Sequence, residues 1–425
     1  MTIEEPKPRS PITWVPSLYL AEGLPFFAVM IVARQMYKSF GVSNEDIAFW
    51  TNMIGFAWVF KPLWSPFLEL TKTKKRPIIL FQFIGGISLG AIALCLQLPQ
   101  YFAISIGLLG IVAIASATHD IVADGLYIAN LSNTQQAAYA GWQGAFYNAA
   151  KFISLGGLLI LAGILEKHMS VASAWAIVFM LLCLMLVLLS AYHSWALPTT
   201  KNSVEVKSVA IVFNTLVDVI IDFFRKPGIL IAILFIILFR AGEGQIQTIG
   251  PLFLRDLKEH GGLGLSTDQV GYVYGTVGTV AFLLGSILGG YFSAWLGLRR
   301  ALPLLIITMN FPNIVFFFLS TALPDNIFVI GTALSIEMFG YGFGFVGLIL
   351  FMMQVVAVGK YQTAHYALAT GVMQLGMILS GMLSGKIQSE LGYKTFFIWV
   401  LVSAIPALVL TRFLGIKDQE KPKIN

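Results

Sequence analysis

Runs of about twenty apolar residues recur from end to end of this chain, broken by short charged or Gly- and Pro-containing stretches. A helix of that length crosses the hydrocarbon core of a bilayer, so a chain that keeps returning to the pattern is committed to many crossings. Composition agrees: 57% of the 425 residues are hydrophobic, 11% are charged, and mean hydropathy is +0.81. No soluble domain looks like this. The pattern predicts an all-α membrane protein with twelve transmembrane helices, at 12–36, 43–69, 77–98, 101–128, 136–165, 172–196, 228–254, 267–296, 301–321, 326–356, 361–386 and 393–414. Residues 1–11 and 415–425 read as polar cytoplasmic tails, 12–196 and 228–414 as two six-helix bundles, and 197–227 as a linker. Within that linker Asn214, Asp218 and Asp222 recur at steps of four in an apolar stretch flanked by Lys201, Lys207, Arg225 and Lys226. This is the pattern of an amphipathic helix lying on the membrane surface.

Charge distribution orients these spans. With twelve crossings both termini share one side, whose tails and loops hold 17 of the 27 Lys and Arg residues, against 6 on the other side. That bias places both termini in the cytoplasm. The remaining four, Arg34, Lys61, Lys151 and Arg240, fall within spans. Arg34 is near enough to a helix end to snorkel to the interface. Pro25, after Glu22-Gly23-Leu24, predicts a kink in the first span. Ser43 is a suitable N-cap for the second, and the uncharged sixth reads as a lipid-facing support. Cys95 and Cys183 sit in apolar spans, which points to neither a disulfide framework nor a metal cluster. The proline-rich start, Pro6, Pro8 and Pro11, lacks the apolar segment of a removable signal peptide. A net charge of +6 reflects the basic loops and gives no sign of nucleic-acid binding.

Functional residues are marked by where charge is tolerated in hydrocarbon. Asp120 and Asp124 lie four apart inside the fourth span, on one helix face with Ser116 and Tyr127. An insertion scale places each carboxylate at about +3 kcal/mol at a helix centre, so this face turns toward protein or water. Two acids so close resist ionising together, which suits one of them to exchange a proton. Glu22 and Glu243 are further proton-coupling candidates. Gln143, Tyr147 and Lys151 form a polar stripe on the fifth span, and Arg240, Glu243 and Gln247 share a face of the seventh. With Lys61 and Glu337 these residues are the candidate solute contacts, the cations for carboxylate or phosphate, the others for sugar and amide groups. Equally, Lys61 or Lys151 could pair with Asp120 or Asp124, and Arg240 with Glu243. Their spans, with the first, second, fourth, fifth, seventh and tenth around a midplane cavity, predict a proton-coupled secondary transporter of a small-molecule solute, working as a monomer without cofactor or metal. No His-Glu-x-x-His pair supports an intramembrane enzyme, His119 has no second ligand at metal spacing and reads as a packing hydrogen bonder, and no phosphate loop supports ATP-driven transport.

An internal repeat refines the architecture. Gly41-Val42-Ser43-Asn44-Glu45-Asp46-Ile47 opens the second span, and Gly264-Leu265-Ser266-Thr267-Asp268-Gln269-Val270 opens the eighth, 223 residues later. Two parallel six-helix halves joined by a cytoplasmic linker resemble the major facilitator superfamily, as does Gly289-Gly290 leading to Gly297-Leu298-Arg299-Arg300. Phe60-Lys61-x-Leu63-Trp64-Ser65-Pro66 with Glu69, followed by Ser116-Ala117-x-x-Asp120-Ile121-Val122-x-Asp124, resembles its muropeptide permease and acetyl-coenzyme A transporter branch. That resemblance implies proton-coupled import of a bulky polar or anionic solute, foremost a cell-wall-derived muropeptide, across a bacterial inner membrane by alternating access. An exporter of drugs or siderophores and an acyl-coenzyme A transporter are the alternatives.

Overall fold

The computed structural model describes residues 10–65, 68, 73–199 and 209–416. Expectations resting on Pro66, Glu69, Lys72, Lys201, Lys207 and the tails at 1–9 and 417–425 fall outside them. Among the described residues all regular structure is helical. Ten helical stretches are long and apolar enough to cross a membrane. They are α1 (Pro11–Ser39), α3 (Lys75–Cys95), α4 (Tyr101–Asn130), α5 (Thr134–Glu166), α6 (Val171–Ala196), α8 (Ile229–Arg255), α9 (Thr267–Leu296), α10 (Leu298–Ala322), α11 (Ile327–Val356) and the 50-residue α12 (Ala364–Phe413). Between α1 and α3 lies α2, built from Asn44–Ile54 and Phe56–Phe60 joined at Gly55 and ending in a tight turn, Lys61–Leu63. The linker contributes α7 (Val209–Arg225).

Local signals account for most element ends. The Ser43 side chain accepts from the Asp46 N–H at 3.0 Å, and Ser266 forms a capping box with Gln269. The two caps of the repeat therefore keep the same function 223 residues apart. One expectation about element ends needs correction. The expected break at 387–392 is helical as far as Leu391, and the chain turns only at Gly392, whose φ of 69° is open to glycine and penalised for other residues. Pro25, where a kink is expected, stays within Val15–Phe27, and a widened π turn, Ala28–Val32, follows it directly. Similar π turns interrupt α5 at Ile153–Leu158 and α9 at Gly271–Val277.

Lipid is as apolar as a leucine side chain, so packing inside a membrane relies on close approach and internal hydrogen bonds. On α6, Trp175, Phe179, Leu182 and Leu186 are buried, while Ile177, Met180, Leu184 and Leu188 are exposed. The sixth span is thus half support and half core. It also carries a buried polar chain: Ser17 meets His193 at 2.9 Å, His193 Nδ1 donates to Gln82 Oε1 at 2.9 Å, and Gln82 Nε2 donates to His119 Nε2 at 2.8 Å. His119 is a helix-packing hydrogen bonder, as expected. The network fixes the rotation of α4 against α1, α3 and α6.

The helices before and after the linker meet along a seam on one side. There α2 packs on α12 and α5 on α9. A β-carbon on Gly163 would collide with the Asp268 backbone nitrogen, and one on Gly275 with the Leu155 carbonyl, so only glycine lets these backbones touch. Polar groups close the seam. Asp256 pairs with Lys38, accepts from Tyr393, and accepts from Asn44 at 2.9 Å. Lys167 donates to Asp268 at 2.7 Å, and Thr267 to Glu166 at 2.5 Å. Arg34 does not snorkel. It is 3% exposed and donates to Thr51 at 2.9 Å, to Asn52 at 3.0 Å and, across the seam, to the Gln247 carbonyl at 3.1 Å. Those acceptors take the place of the water it was expected to seek.

Candidate solute and proton site between the halves

The organising acids sit on the inner face of α4. Ile104, Ile111 and Ile114 mark its exposed apolar side, and Asp120 and Asp124 project from the other. Asp120 is buried, with its Oδ2 3.6 Å from the Lys61 ammonium and its Oδ1 without a hydrogen-bond partner. Lys61 reaches it because α2 tightens into the Lys61–Leu63 turn, and Trp64 pins that turn to α4 through a 3.1 Å bond to Thr118. Asp124 is exposed and accepts from Tyr19 of α1 at 2.9 Å. Glu22, one turn along α1 from Tyr19, interacts electrostatically with Asp120, Asp124 and Lys61, and its Oε2 is buried without a partner. Three acids and one cation therefore share this half of the site. A cluster short of positive charge has reason to hold protons.

A second cluster lies across the interface. Glu243 of α8 is fully buried and accepts from Gln247 at 2.5 Å, and Gln247 in turn accepts from Tyr274 at 2.9 Å. Arg240 turns to Tyr341 at 3.4 Å and to the Met377 sulfur at 2.8 Å, with its guanidinium over the Tyr341 and Phe345 rings. Lys151 projects from α5 over the Phe282 ring of α9, 4.5 Å from its centroid. Its partner is thus an aromatic face in the opposite half, and neither Asp120 nor Asp124 holds it. Tyr147, one turn earlier on α5, packs against Phe26 and Phe27, and Gln143 sits near Tyr19. Glu337 on α11 is fully buried.

The fold gathers the sequence-derived candidates into two groups, Glu22, Lys61, Asp120, Asp124, Gln143 and Tyr147 before the linker and Arg240, Glu243, Gln247 and Glu337 after it, with Lys151 reaching from the first half to the second. Sequence reasoning missed Tyr19 and Tyr341, which bond Asp124 and Arg240 from other helices, and Tyr274, which bonds Gln247. A tyrosine in an apolar run carries no signal of its own; the available clue was that each acid or base would need a donor or acceptor nearby. Among the described residues no group of three or more His, Cys, Asp or Glu could hold a metal ion.

The arrangement gathers buried charges and polar groups from both halves, and comparison with known proteins identifies the family. The Major Facilitator Superfamily profile matches residues 17–365. The anhydromuropeptide permease of Escherichia coli (strain K12) is 24% identical over 419 residues, covering 95% of this chain and 79% of that protein. Among solved structures, an inward-facing, unoccupied bacterial homolog of the human lysosomal transporter Spinster superposes with a TM-score of 0.74 at 14% identity, covering 96% of this chain and 98% of that one. A D-xylose–proton symporter superposes with a TM-score of 0.69 at 12% identity, covering 97% and 98%. With its helical architecture, its seam between two halves and a family match across most of its length, the chain belongs to the major facilitator superfamily and is a multi-pass membrane transporter, not an enzyme.

Proposed function

We propose that this transporter is a proton symporter that imports a bulky polar or anionic solute, foremost a cell-wall-derived muropeptide, across a bacterial inner membrane. It works as a monomer with both termini in the cytoplasm, and 12–196 and 228–414 are the two units that rock about the site. The observation that carries this reading is the pairing of the half-buried Lys61 with the buried, incompletely satisfied Asp120, beside the exposed Asp124. Protonating Asp120 releases Lys61, and a free ammonium is a ready partner for a solute carboxylate. Proton uptake and solute binding then favour the same state, which is the requirement for symport. Lys151 and Arg240 bind anionic groups, while Gln143, Tyr147 and Gln247 hydrogen-bond sugar and peptide. The likeness to the anhydromuropeptide permease supports the solute class, and the Lys and Arg bias supports the orientation. In that orientation the seam closes the outer side and Asp124 faces the cytoplasm.

The test is uptake of an anhydromuropeptide into proteoliposomes with an imposed proton gradient, repeated after a protonophore. Accumulation that disappears with the gradient supports symport. Equal accumulation in both conditions would overturn it.

A further inference from the structure

Glu337 is an acid to which the proposed cycle gives no role. It sits mid-way along α11, fully buried, and neither carboxylate oxygen has a hydrogen-bond partner. Glu243 of α8 faces it, also fully buried, with Oε1 taken by Gln247 and Oε2 unpartnered. Tyr274 of α9 and Tyr341 of α11 complete the titratable groups around it in its own half, with Arg240 beyond, turned to Tyr341 and Met377. The opposing charge comes from the other half: Lys151 of α5 lies within electrostatic reach of both Glu243 and Glu337.

An ionised carboxylate sealed from water, without a single donor and beside a second acid, does not persist; it is discharged by a proton. The Lys151 ammonium group meanwhile lies over the Phe282 ring, a contact that neutralises no acid. We infer that Glu337 is a second proton carrier, neutral in this conformation, and that Lys151 is the cation that replaces its proton when the halves move. In that step the Glu337 O–H bond breaks and the proton passes to water on the side then open. The carboxylate left behind is compensated by the Lys151 ammonium, which leaves the Phe282 face, and no other bond changes. One proton would then travel through each half in every cycle. The inference rests on the symport reading for the proton's direction of travel, but not for Glu337 being neutral.

Infrared spectroscopy of the purified transporter tests it with neither solute nor gradient. At neutral pH the wild-type protein should show the carbonyl stretch of a buried carboxylic acid. Growth on 13C-labelled glutamate should shift that band, assigning it to Glu in the unaltered protein. The band should lose a component in Glu337→Gln that survives in Glu243→Gln, Glu22→Gln and Asp120→Asn. In Lys151→Met it should persist to higher pH, because the cation favouring the ionised form is gone. A spectrum without a glutamate-shifted band, a band untouched by Glu337→Gln, or one lost in Glu22→Gln instead would each overturn the proposal. Failure of gradient-driven uptake alone would overturn the symport reading and leave this spectrum unchanged.

Discussion

The seam and the midplane treat charge differently. At the seam Asp256 has Lys38, Tyr393 and Asn44, Arg34 has three acceptors, and Asp268 has Lys167 on one oxygen while only its other oxygen stays unpartnered. At the midplane Glu22, Asp120, Glu243 and Glu337 each keep at least one buried oxygen without a partner, and Arg240 keeps its Nε. A fully partnered buried charge stabilises one arrangement and resists leaving it. An incompletely partnered one is a reservoir of unmet interaction, which a proton, a solute or a helix shift can satisfy. The seam is built to hold a state and the midplane to be changed.

Four perturbations probe that contrast. The largest effect is expected from Asp120→Asn, which keeps shape but cannot ionise. Accumulation against a gradient should fall to background while counterflow exchange, which needs no net proton movement, continues; uptake assays on both modes decide it. Asp124→Asn should behave alike if the pair exchanges one proton. Retention of proton-driven accumulation by both variants would make these acids as static as those of the seam.

Next comes Gly163→Leu, which inserts a side chain where two backbones touch. The seam should part, and spin labels placed across it, on α5 and α9, should report a longer distance than in the wild type. An unchanged distance would mean that the seam yields elsewhere.

Lys61→Ala is a smaller, energetic probe. Breaking a dry ion pair destabilises by about 3–5 kcal/mol. The Lys61 side chain is 35% exposed, so about 1–2 kcal/mol is expected here. Thermal denaturation in detergent measures it, and combining the change with Asp120→Asn should recover part of the loss. Full additivity would show that the pair does not interact.

The smallest effect is on pH dependence. Burial alone would raise the Asp256 carboxyl, but hydrogen bonds from Lys38 and Tyr393 and the Lys38 charge outweigh it and hold Asp256 below its ordinary range. A group depressed in the folded state stabilises above its unfolded value, about 3.9, and loses that contribution as pH falls through the folded value. Seam stability should therefore be flat from about pH 5 to 8 and decline below about pH 4. Asp256→Asn should flatten that acid limb in a melting-temperature series, and an unchanged limb would assign the loss to other acids.

Much of this was legible in the sequence, because membrane helices announce themselves locally. Apolar runs placed the spans, Ser43 and Ser266 placed two helix starts, and the rarity of charge in hydrocarbon exposed Asp120, Asp124 and Lys61 as a group. What escaped depends on residues far apart in the chain. Arg34 looked like a surface residue because its acceptors, Thr51, Asn52 and the Gln247 carbonyl, come from two other helices. Lys151 offered acids on its own half as partners, and only the packing of α5 on α9 shows that it points across. Nothing in the sequence around Lys38 or Asp256 reveals that the two stretches meet.

The shared caps carry a consequence for symmetry. Ser43 and Ser266 start α2 and α9 in the same way, yet at that same offset of 223 the position matching Lys61 is Leu284, and at the offset of 226 between the starts of α4 and α11 those matching Asp120 and Asp124 are Val346 and Leu350. Duplicated scaffolding has been kept while the chemistry inside it diverged. A carrier with interchangeable halves would show its solute the same lining from either face of the membrane. This one presents a wet, lysine-bearing acid cluster on one wall and a sealed, tyrosine-bound one on the other. On the proposed alternating-access reading its two open states are different receptors, and solute affinities titrated from the two faces of oriented vesicles should be unequal.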